Sequence, residues 1–173
     1  KIACEETCSG DYDGLAIGGS LGGTKEQMHD IFSFCSELID ESKPVHVLGI
    51  GGLDDILHGV SCGYDTFDCV SPTRIARHGI MLSRLNPKGV NLNNSKFKND
   101  HSLIDEGCEL SDINNFTKAY LHHLFKANEI LGIVILSLYN IWFMNKFFED
   151  IRANIERDTF EKFKKDFFDN LTK

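Results

Sequence analysis

The chain has 173 residues, of which 42% are hydrophobic and 25% are charged. This composition excludes a disordered chain, and the length is enough for one domain with a buried core. The net charge of −8 argues against a uniformly basic nucleic-acid-binding protein. The longest apolar stretch, residues 130–144, is shorter than the about 20 residues of a membrane span, so we expect a buried helix there and no membrane contact.

The start of the chain and its cysteines bear on processing and compartment. The first residue is Lys1 rather than methionine, and no charged-then-apolar leader follows it, so we expect a fragment without a targeting segment. The six cysteines are spread without the dense spacing of a disulfide framework. We therefore expect reduced thiols in a cytoplasmic protein.

Three short apolar runs in the first part of the chain end in turn residues, at 13–19, 45–52 and 65–70. The two segments between them carry apolar residues at helical spacing, and Thr24 is suited to cap the first helix. An Ile-Gly-Gly triplet that begins at Ile17 recurs at Ile50, 33 residues later, which is the length of one βα unit. The order strand, helix, strand, helix, strand predicts an α/β fold with a parallel sheet.

The third strand carries one carboxylate, Asp68, close to its end. Alternation places Phe67 and Cys69 on one face and Asp68 on the other, and Pro72 cannot donate to a sheet ladder, so the strand stops before it. Asp68 is therefore predicted at the carboxyl end of a strand. From the pattern alone, an aspartate that caps the turn before Pro72 is the more frequent explanation.

The glycine pairs that follow the first two strands are open to two interpretations. Glycine lets a ligand approach the backbone closely, but tight βα turns need glycine as well. The stretch "GIGGLDD" also half-resembles a dinucleotide fingerprint. We discount that motif because its third glycine is absent and Asp54 would repel a pyrophosphate.

The second part of the chain begins with a basic, loop-rich segment. A basic segment on an otherwise acidic molecule suits a surface that binds the phosphates of a nucleic acid. A solvated basic loop is the more common explanation of such a run of charges. Two helices follow it, one over about 115–126 and one from about 129 to beyond Ile151. Residues 74–98 contain no acidic residue and six basic ones: Arg74, Arg77, Arg84, Lys88, Lys96 and Lys98.

Several stretches taken together resemble the C-terminal half of the tRNA-guanine transglycosylases, the queuine tRNA-ribosyltransferase family. They are "DGLAIGG", "KPVHVLGIGGLDDILHGVSCGYDTFDCVSPTRIARHG" and "AYLHHLFKANEILG", of which "FDCVSPTR" close to "RHG" is the most specific. The resemblance implies the C-terminal part of a TIM (β/α)8 barrel with a small inserted subdomain. We accordingly expect the last βα units of the barrel over 1–79, the basic insert and helical subdomain over 80–127, and a closing helix over 128–173.

The resemblance also implies an activity. The family exchanges guanine at the wobble position of tRNAs with a GUN anticodon for queuine or a 7-deazaguanine precursor, through a covalent bond between ribose and an aspartate. Asp68 stands at the position of that nucleophile. Because the family's acid/base aspartate belongs to the N-terminal half, we expect the isolated chain to be inactive.

Other roles carry over by motif, again as implications of the resemblance. The residues implied to contact the base are Gly18, Gly19, Leu48 and Gly49. Arg74 and Arg77 suit RNA on physical grounds, because guanidinium groups bind phosphates and base edges bidentately. The residues implied to contact RNA are Gly49, Ile50, Gly51, Gly52, Leu53, Asp54, Asp55, Thr73, Arg74, Ile75, Ala76 and Arg77.

The sequence departs from the family at the zinc site of the insert. The positions that match the family's three cysteines and one histidine hold Cys108, Leu110, Ile113 and Tyr139. One thiolate cannot build a tetrahedral site, so we expect no metal and no cofactor, with Leu110 and Ile113 packed in a small apolar cluster. The segment "FTKAYLHHLF" matches a dimerising helix of the family, so Phe116, Tyr120 and His123 form either a homodimer patch or ordinary core packing.

Two other functions are open to the same residues. The first is a noncatalytic subunit of the same family that binds tRNA or a partner, suggested by the lost zinc ligands. The second is a generic phosphate-binding barrel enzyme, which leaves the basic segment and "AYLHHL" unexplained.

Overall fold

The computed structural model describes residues 2–19 and 21–171. The chain divides into two compact units, Lys1–Val70 and Ser71–Lys173. Each unit is described separately below.

The first unit is an α/β unit built on a parallel sheet, as the sequence predicts. Its three strands, β1 (Leu15–Ile17), β2 (Val45–Val47) and β3 (Thr66–Phe67), lie in the order β1-β2-β3, and both pairings are parallel. The short helix α1 (Ile2–Cys8) was not predicted. In chain order the elements are α1 (Ile2–Cys8), β1 (Leu15–Ile17), α2 (Lys25–Ser36), β2 (Val45–Val47), α3 (Leu53–Ser61) and β3 (Thr66–Phe67).

The core of the first unit lies between the sheet and helix α2. Leu15, Val45 and Val47 from the strands pack with Phe32 and Tyr64. The buried hydroxyl of Tyr64 donates a hydrogen bond to the carbonyl of Phe32 at 2.6 Å, so the polar end of this aromatic side chain has a partner. Apolar burial therefore packs the strands against α2, and a buried hydrogen bond attaches the segment before β3 to the same helix.

The helix boundaries follow from local chemistry. Thr24 caps α2 as predicted, because its hydroxyl accepts a hydrogen bond from the N–H of Gln27 at 3.3 Å. Helix α3 begins at Leu53, directly after the Gly-Gly pair, and buries Leu53, Ile56 and Leu57 on one side. The predicted apolar face of this helix is confirmed.

The second unit is mainly helical. Its small antiparallel sheet of β4 (Ile80–Met81) and β5 (Val90–Asn91) was not predicted, because two strands of two residues each show no alternation in the sequence. In chain order the elements are α4 (Ser71–Ala76), β4 (Ile80–Met81), β5 (Val90–Asn91), a 3-10 turn (Ser95–Phe97), α5 (Lys118–Lys126), α6 (Ile130–Glu156) and α7 (Phe160–Leu171).

The C-terminal region contains two helices where the sequence predicts one closing helix. Helix α6 ends at Glu156, and Asp158 has a left-handed backbone with φ of 55°, which turns the chain. Helix α7 then packs on α6 through Phe167, whose ring centre is 5.9 Å from that of Phe147. The aromatic residues of α7 are its contact with the core.

Helix α6 is long and apolar enough to cross a membrane by length and composition. Nine of its residues, among them Ile135, Leu136 and Phe147, are buried inside the second unit. The core helix of a protein without a membrane domain has the same length and composition, so one such helix is weak support for a membrane span.

Candidate active site

The register of the sheet places Asp68 at the carboxyl edge. Strand β2 pairs with β3 so that His46 lies opposite Thr66 and Val47 opposite Phe67. Strand β3 ends at Phe67, and the N–H of Asp68 still donates to the carbonyl of Val47 at 3.4 Å. The predicted position of Asp68 at the end of the third strand is confirmed.

The carboxylate of Asp68 is held by one of its two oxygens. Oδ1 accepts the backbone N–H of Gly49 at 3.0 Å and lies 3.3 Å from Nε2 of His46. Among the described residues, no group donates a hydrogen bond to Oδ2. The two contacts to Oδ1 hold the carboxylate in one orientation. Because the side chain is also 57% exposed, a reactant can reach it.

The residues predicted to bind the base lie at the same edge of the sheet. Gly18 follows β1 and Leu48 follows β2, and the N–H of Leu48 donates to the carbonyl of Ile17 at 2.8 Å. A Cβ on Gly18 would lie only 2.6 Å from Cδ1 of Leu48, so the absence of a side chain at Gly18 makes room for Leu48. Leu48 is 49% exposed and offers an apolar surface to a ring.

Two glycines at this edge require a left-handed backbone. Gly19 has φ of +88° and Gly49 has φ of +76°, values that residues with a side chain rarely adopt. At Gly49 this conformation goes together with an N–H directed at Asp68. Of the two interpretations of the glycine pairs, close approach to a ligand stays a prediction, whereas the turn geometry is observed.

The acidic pair in the first turn of α3 is neutralised within the first unit. Lys25 forms ion pairs with both Asp54 and Asp55, and Nε2 of His29 lies 2.8 Å from Oδ1 of Asp55. Burial acts to lower the pKa of Lys25, but its hydrogen bonds to the two carboxylates raise that pKa above its ordinary value. The predicted RNA contact of residues 49–55 therefore involves carboxylates that already have cationic partners.

The second unit carries the other residues predicted to contact RNA. Arg74, on α4, and Arg77, directly after it, both have exposed side chains. Ala76 is fully buried, so its side chain is not available to a ligand. The two guanidinium groups are the exposed cations of this short segment.

The positions that match the family's zinc ligands do not fit a metal. Cys108, Ile113 and Tyr139 are buried, and the phenol of Tyr139 donates to Oδ2 of Asp105 at 2.8 Å. Burial raises the pKa of the Cys108 thiol, which disfavours the thiolate that zinc needs. Within residues 2–19 and 21–171, no group of three or more His, Cys, Asp or Glu side chains could hold a metal.

The segment "FTKAYLHHLF", which matches a dimerising helix of the family, packs on the core with one side and is exposed to solvent on the other. Leu121 and Leu124 of α5 are buried. The rings of Phe116 and Tyr120 stack at 5.4 Å between centres, and Tyr120 is 38% exposed. Core packing is thus observed for the leucines, and an exposed aromatic pair stays available for a partner.

His46 is the site residue that the sequence analysis missed. It lies on β2 between two buried valines, Val45 and Val47, so alternation turns its ring away from the core. Its pairing with Thr66, two residues before Asp68, then brings the ring to the carboxylate. The sequence offered one signal for His46: aligning the two predicted parallel strands at their carboxyl ends places His46 beside Thr66.

The fold and the site together define an α/β protein with an exposed carboxylate held at the carboxyl edge of a parallel sheet, which suits a nucleophile. The sequence model of the family described as queuine tRNA-ribosyltransferase matches residues 1–173. The chain belongs to the queuine tRNA-ribosyltransferase family, as its resemblance predicts.

Curated relatives support this membership. A queuine tRNA-ribosyltransferase of Dehalococcoides mccartyi is 41% identical over 168 residues, which cover 96% of this chain and 42% of that protein. The enzyme of the same name from Dictyoglomus turgidum is 39% identical over 168 residues, 96% of this chain and 43% of the relative. The one from Clostridium acetobutylicum is 43% identical over 155 residues, 89% of this chain and 41% of the relative. The chain thus spans about two fifths of the length of these relatives.

Proposed function

We propose that this chain is the nucleophile-bearing part of an enzyme that exchanges guanine at the wobble position of tRNAs with a GUN anticodon for queuine or a 7-deazaguanine precursor. The observation that carries the proposal is the Asp68 carboxylate, with Oδ1 bonded to Gly49 and His46 and with Oδ2 open. Family membership supports the same reaction.

The geometry suits a double displacement at the sugar. Oδ2 of Asp68 attacks C1′ of the ribose as the bond from C1′ to guanine breaks, and the leaving base takes a proton from an acid outside this chain. The ribosyl–aspartate ester is then attacked by the nitrogen of the incoming base, which gives up its proton, and the carboxylate is released. Two successive inversions retain the configuration, as in retaining glycosidases.

The neighbouring residues support binding of a planar base. Gly18 and Gly19 are exposed at the end of β1, and Leu48 is an exposed apolar side chain directly before Gly49, at the end of β2. We propose that these four residues contact the base. The exposed guanidinium groups of Arg74 and Arg77, with the segment from Thr73 to Arg77 and residues 49–55, are proposed to contact the anticodon loop.

The surrounding architecture is part of the proposal. The parallel β-α-β-α-β arrangement of the first unit is the repeating element of a TIM (β/α)8 barrel, whose reacting groups lie at the carboxyl ends of the strands. We propose that the chain supplies the last strands of such a barrel in a cytoplasmic enzyme. A structural zinc is not part of the proposal, since Cys108, Leu110, Ile113 and Tyr139 cannot supply its ligands.

We also propose that the protein forms a homodimer through Phe116, Tyr120 and His123.

The experiment is capture of the covalent intermediate in the full-length protein that carries this chain. Purified protein is incubated with a GUN-anticodon tRNA and a base analogue that stalls the exchange, and the RNA–protein adduct is resolved on a denaturing gel. We expect an adduct with the natural sequence and none with Asp68→Asn, because an amide is a poor nucleophile. An adduct that persists in Asp68→Asn contradicts the proposal.

The second candidate is a noncatalytic tRNA-binding or partner subunit of the same family. The observation that favours it is the replacement of the zinc ligands, since three of the four matching positions, Cys108, Ile113 and Tyr139, are buried and the described residues contain no metal-binding group. The same experiment separates the two candidates. A protein that retains the tRNA on a filter but forms no adduct with its natural sequence is the binding subunit.

A further inference from the structure

We infer that His46 is a positioning residue that orients the Asp68 nucleophile, a role that rests on the proposed function. The ring is held between the Thr66 hydroxyl and the Asp68 carboxylate, with Nδ1 2.8 Å from Oγ1 of Thr66 and Nε2 3.3 Å from Oδ1 of Asp68. Both ring nitrogens therefore have a partner on the neighbouring strand segment.

The backbone sets up this contact. His46 and Thr66 are directly paired in the parallel register, and Asp68 lies two residues after Thr66, on the same side of the extended chain. The three side chains thus form a row along the carboxyl edge of the sheet. His46 is 34% exposed, so the row lies at the surface of the described unit and not in its core.

The direction of the hydrogen bonds follows from what each partner can do. A carboxylate oxygen accepts hydrogen bonds, so Nε2 carries the N–H that donates to Oδ1. In the neutral ring Nδ1 is then an acceptor, and the Thr66 hydroxyl donates to it. Thr66 thereby selects the tautomer that points a donor at Asp68.

The consequence concerns which oxygen of the carboxylate reacts. Gly49 and His46 both bond to Oδ1, from the backbone and from a side chain, which fixes the rotation of the carboxyl group. Oδ2 is then the oxygen presented to the ribose carbon in a constant direction. Loss of the His46 donor leaves the carboxylate of Asp68 held by Gly49 alone. The carboxylate then spends less time in the orientation from which Oδ2 attacks the ribose carbon.

The test compares His46→Leu, His46→Gln and His46→Asn in the full-length protein, with the base-exchange rate and the adduct rate as readouts. For His46→Leu we expect kcat and the rate of adduct formation to fall about 10- to 100-fold, the scale of a small misplacement of a reacting group. The KM for tRNA should change less than about twofold, because the bond acts on the nucleophile and not on substrate binding.

The two amide variants separate positioning from general folding effects. Glutamine places an N–H donor at about the reach of Nε2, whereas asparagine places one at about the reach of Nδ1. His46→Gln should therefore keep several-fold more activity than His46→Asn. Thr66→Val should lower kcat as well, since it removes the donor that selects the tautomer. His101→Ala, at an exposed histidine of the second unit, is the control and should leave both rates unchanged.

The outcomes distinguish this inference from the proposed function. If the natural protein forms no adduct at all, the proposed function fails and the role of His46 fails with it. If the natural protein forms the adduct and His46→Leu forms it equally fast, the function stands and the positioning role is overturned. Equal activities of His46→Gln and His46→Asn also overturn the positioning role, since the Nε2 donor is then not what matters.

Discussion

At the scale of single residues, the orientation of the Asp68 carboxylate depends on the backbone as much as on side chains. Gly49 combines a left-handed φ of +76° with an N–H that donates to Asp68 at 3.0 Å. The donor points at the carboxylate only because the chain turns there in a conformation that favours glycine. One residue thus links the strand end, the turn and the proposed nucleophile Asp68.

Gly49→Ala is expected to lower both stability and turnover. A side chain at this φ costs about 1–2 kcal/mol of folding free energy, and relaxation of the turn moves the N–H away from Asp68. We expect a lower midpoint of thermal unfolding and a kcat reduced about tenfold, measured by calorimetry and base exchange on the full-length protein.

Gly63→Ala is the matched control for this strain. Gly63 has φ of +83° and open space around its Cβ position, so it shares the backbone conformation of Gly49 but has no contact with Asp68. It should lose a similar amount of stability and keep its kcat. A similar loss of kcat in both variants would show that the strain, and not the N–H, affects turnover.

At the scale of elements, one buried amide in α6 connects three other segments of the second unit to this helix. The side-chain oxygen of Asn140 accepts the N–H of Leu82 at 2.9 Å. Its Nδ2 donates to the carbonyl of Pro72 at 2.9 Å and to that of Ile80 at 3.0 Å. A fully buried polar side chain is stable only when it is satisfied in this way. Asn140 therefore connects α4, β4 and the following loop to α6.

Asn140→Leu is expected to destabilise the second unit strongly. The substitution is apolar and of similar volume, but it leaves one backbone N–H and two carbonyls without their partner, at about 1–3 kcal/mol for each unsatisfied group. We expect the free energy of unfolding to fall by about 3 kcal/mol or more in denaturant titrations of the full-length protein.

Asn145→Leu provides the comparison on the same helix. Asn145 is exposed, so this substitution changes composition and helix propensity equally without removing a buried bond. Its effect should stay within about 0.5 kcal/mol. Equal effects of the two substitutions would contradict the assignment of Asn140 as the connecting residue.

The elements that the sequence predicted are those specified by local pattern, and the missed ones depend on tertiary contacts. The position of Asp68 followed from strand alternation and from Pro72, and the cap at Thr24 from its own hydroxyl. Asn140 was visible as a polar residue in an apolar stretch, but its three partners lie at least 58 residues away. His46 was missed for the same reason, because the register with Thr66 belongs to two strands and not to one.

At the scale of the whole molecule, the parallel sheet ends in two open edges. In the part of the chain that the structure describes, β1 and β3 each pair only with β2. The chain spans 42% of the length of the Dehalococcoides relative, so that relative has residues beyond the matched part. In a closed barrel these edges are paired, whereas unpaired edges are templates for association with other chains.

Expressed alone, the 173-residue chain is expected to self-associate and to form no adduct with tRNA. Three parallel strands of two or three residues have few ladder bonds of their own, and their outer N–H and C=O groups are available to another copy. Sedimentation velocity should show concentration-dependent oligomers for the isolated chain. Co-expression with the N-terminal part of the full-length protein should convert these oligomers to a discrete species that forms the adduct, since closure of the proposed barrel pairs both edges. An isolated chain that sediments as a stable monomer at all concentrations would contradict the need for neighbouring strands.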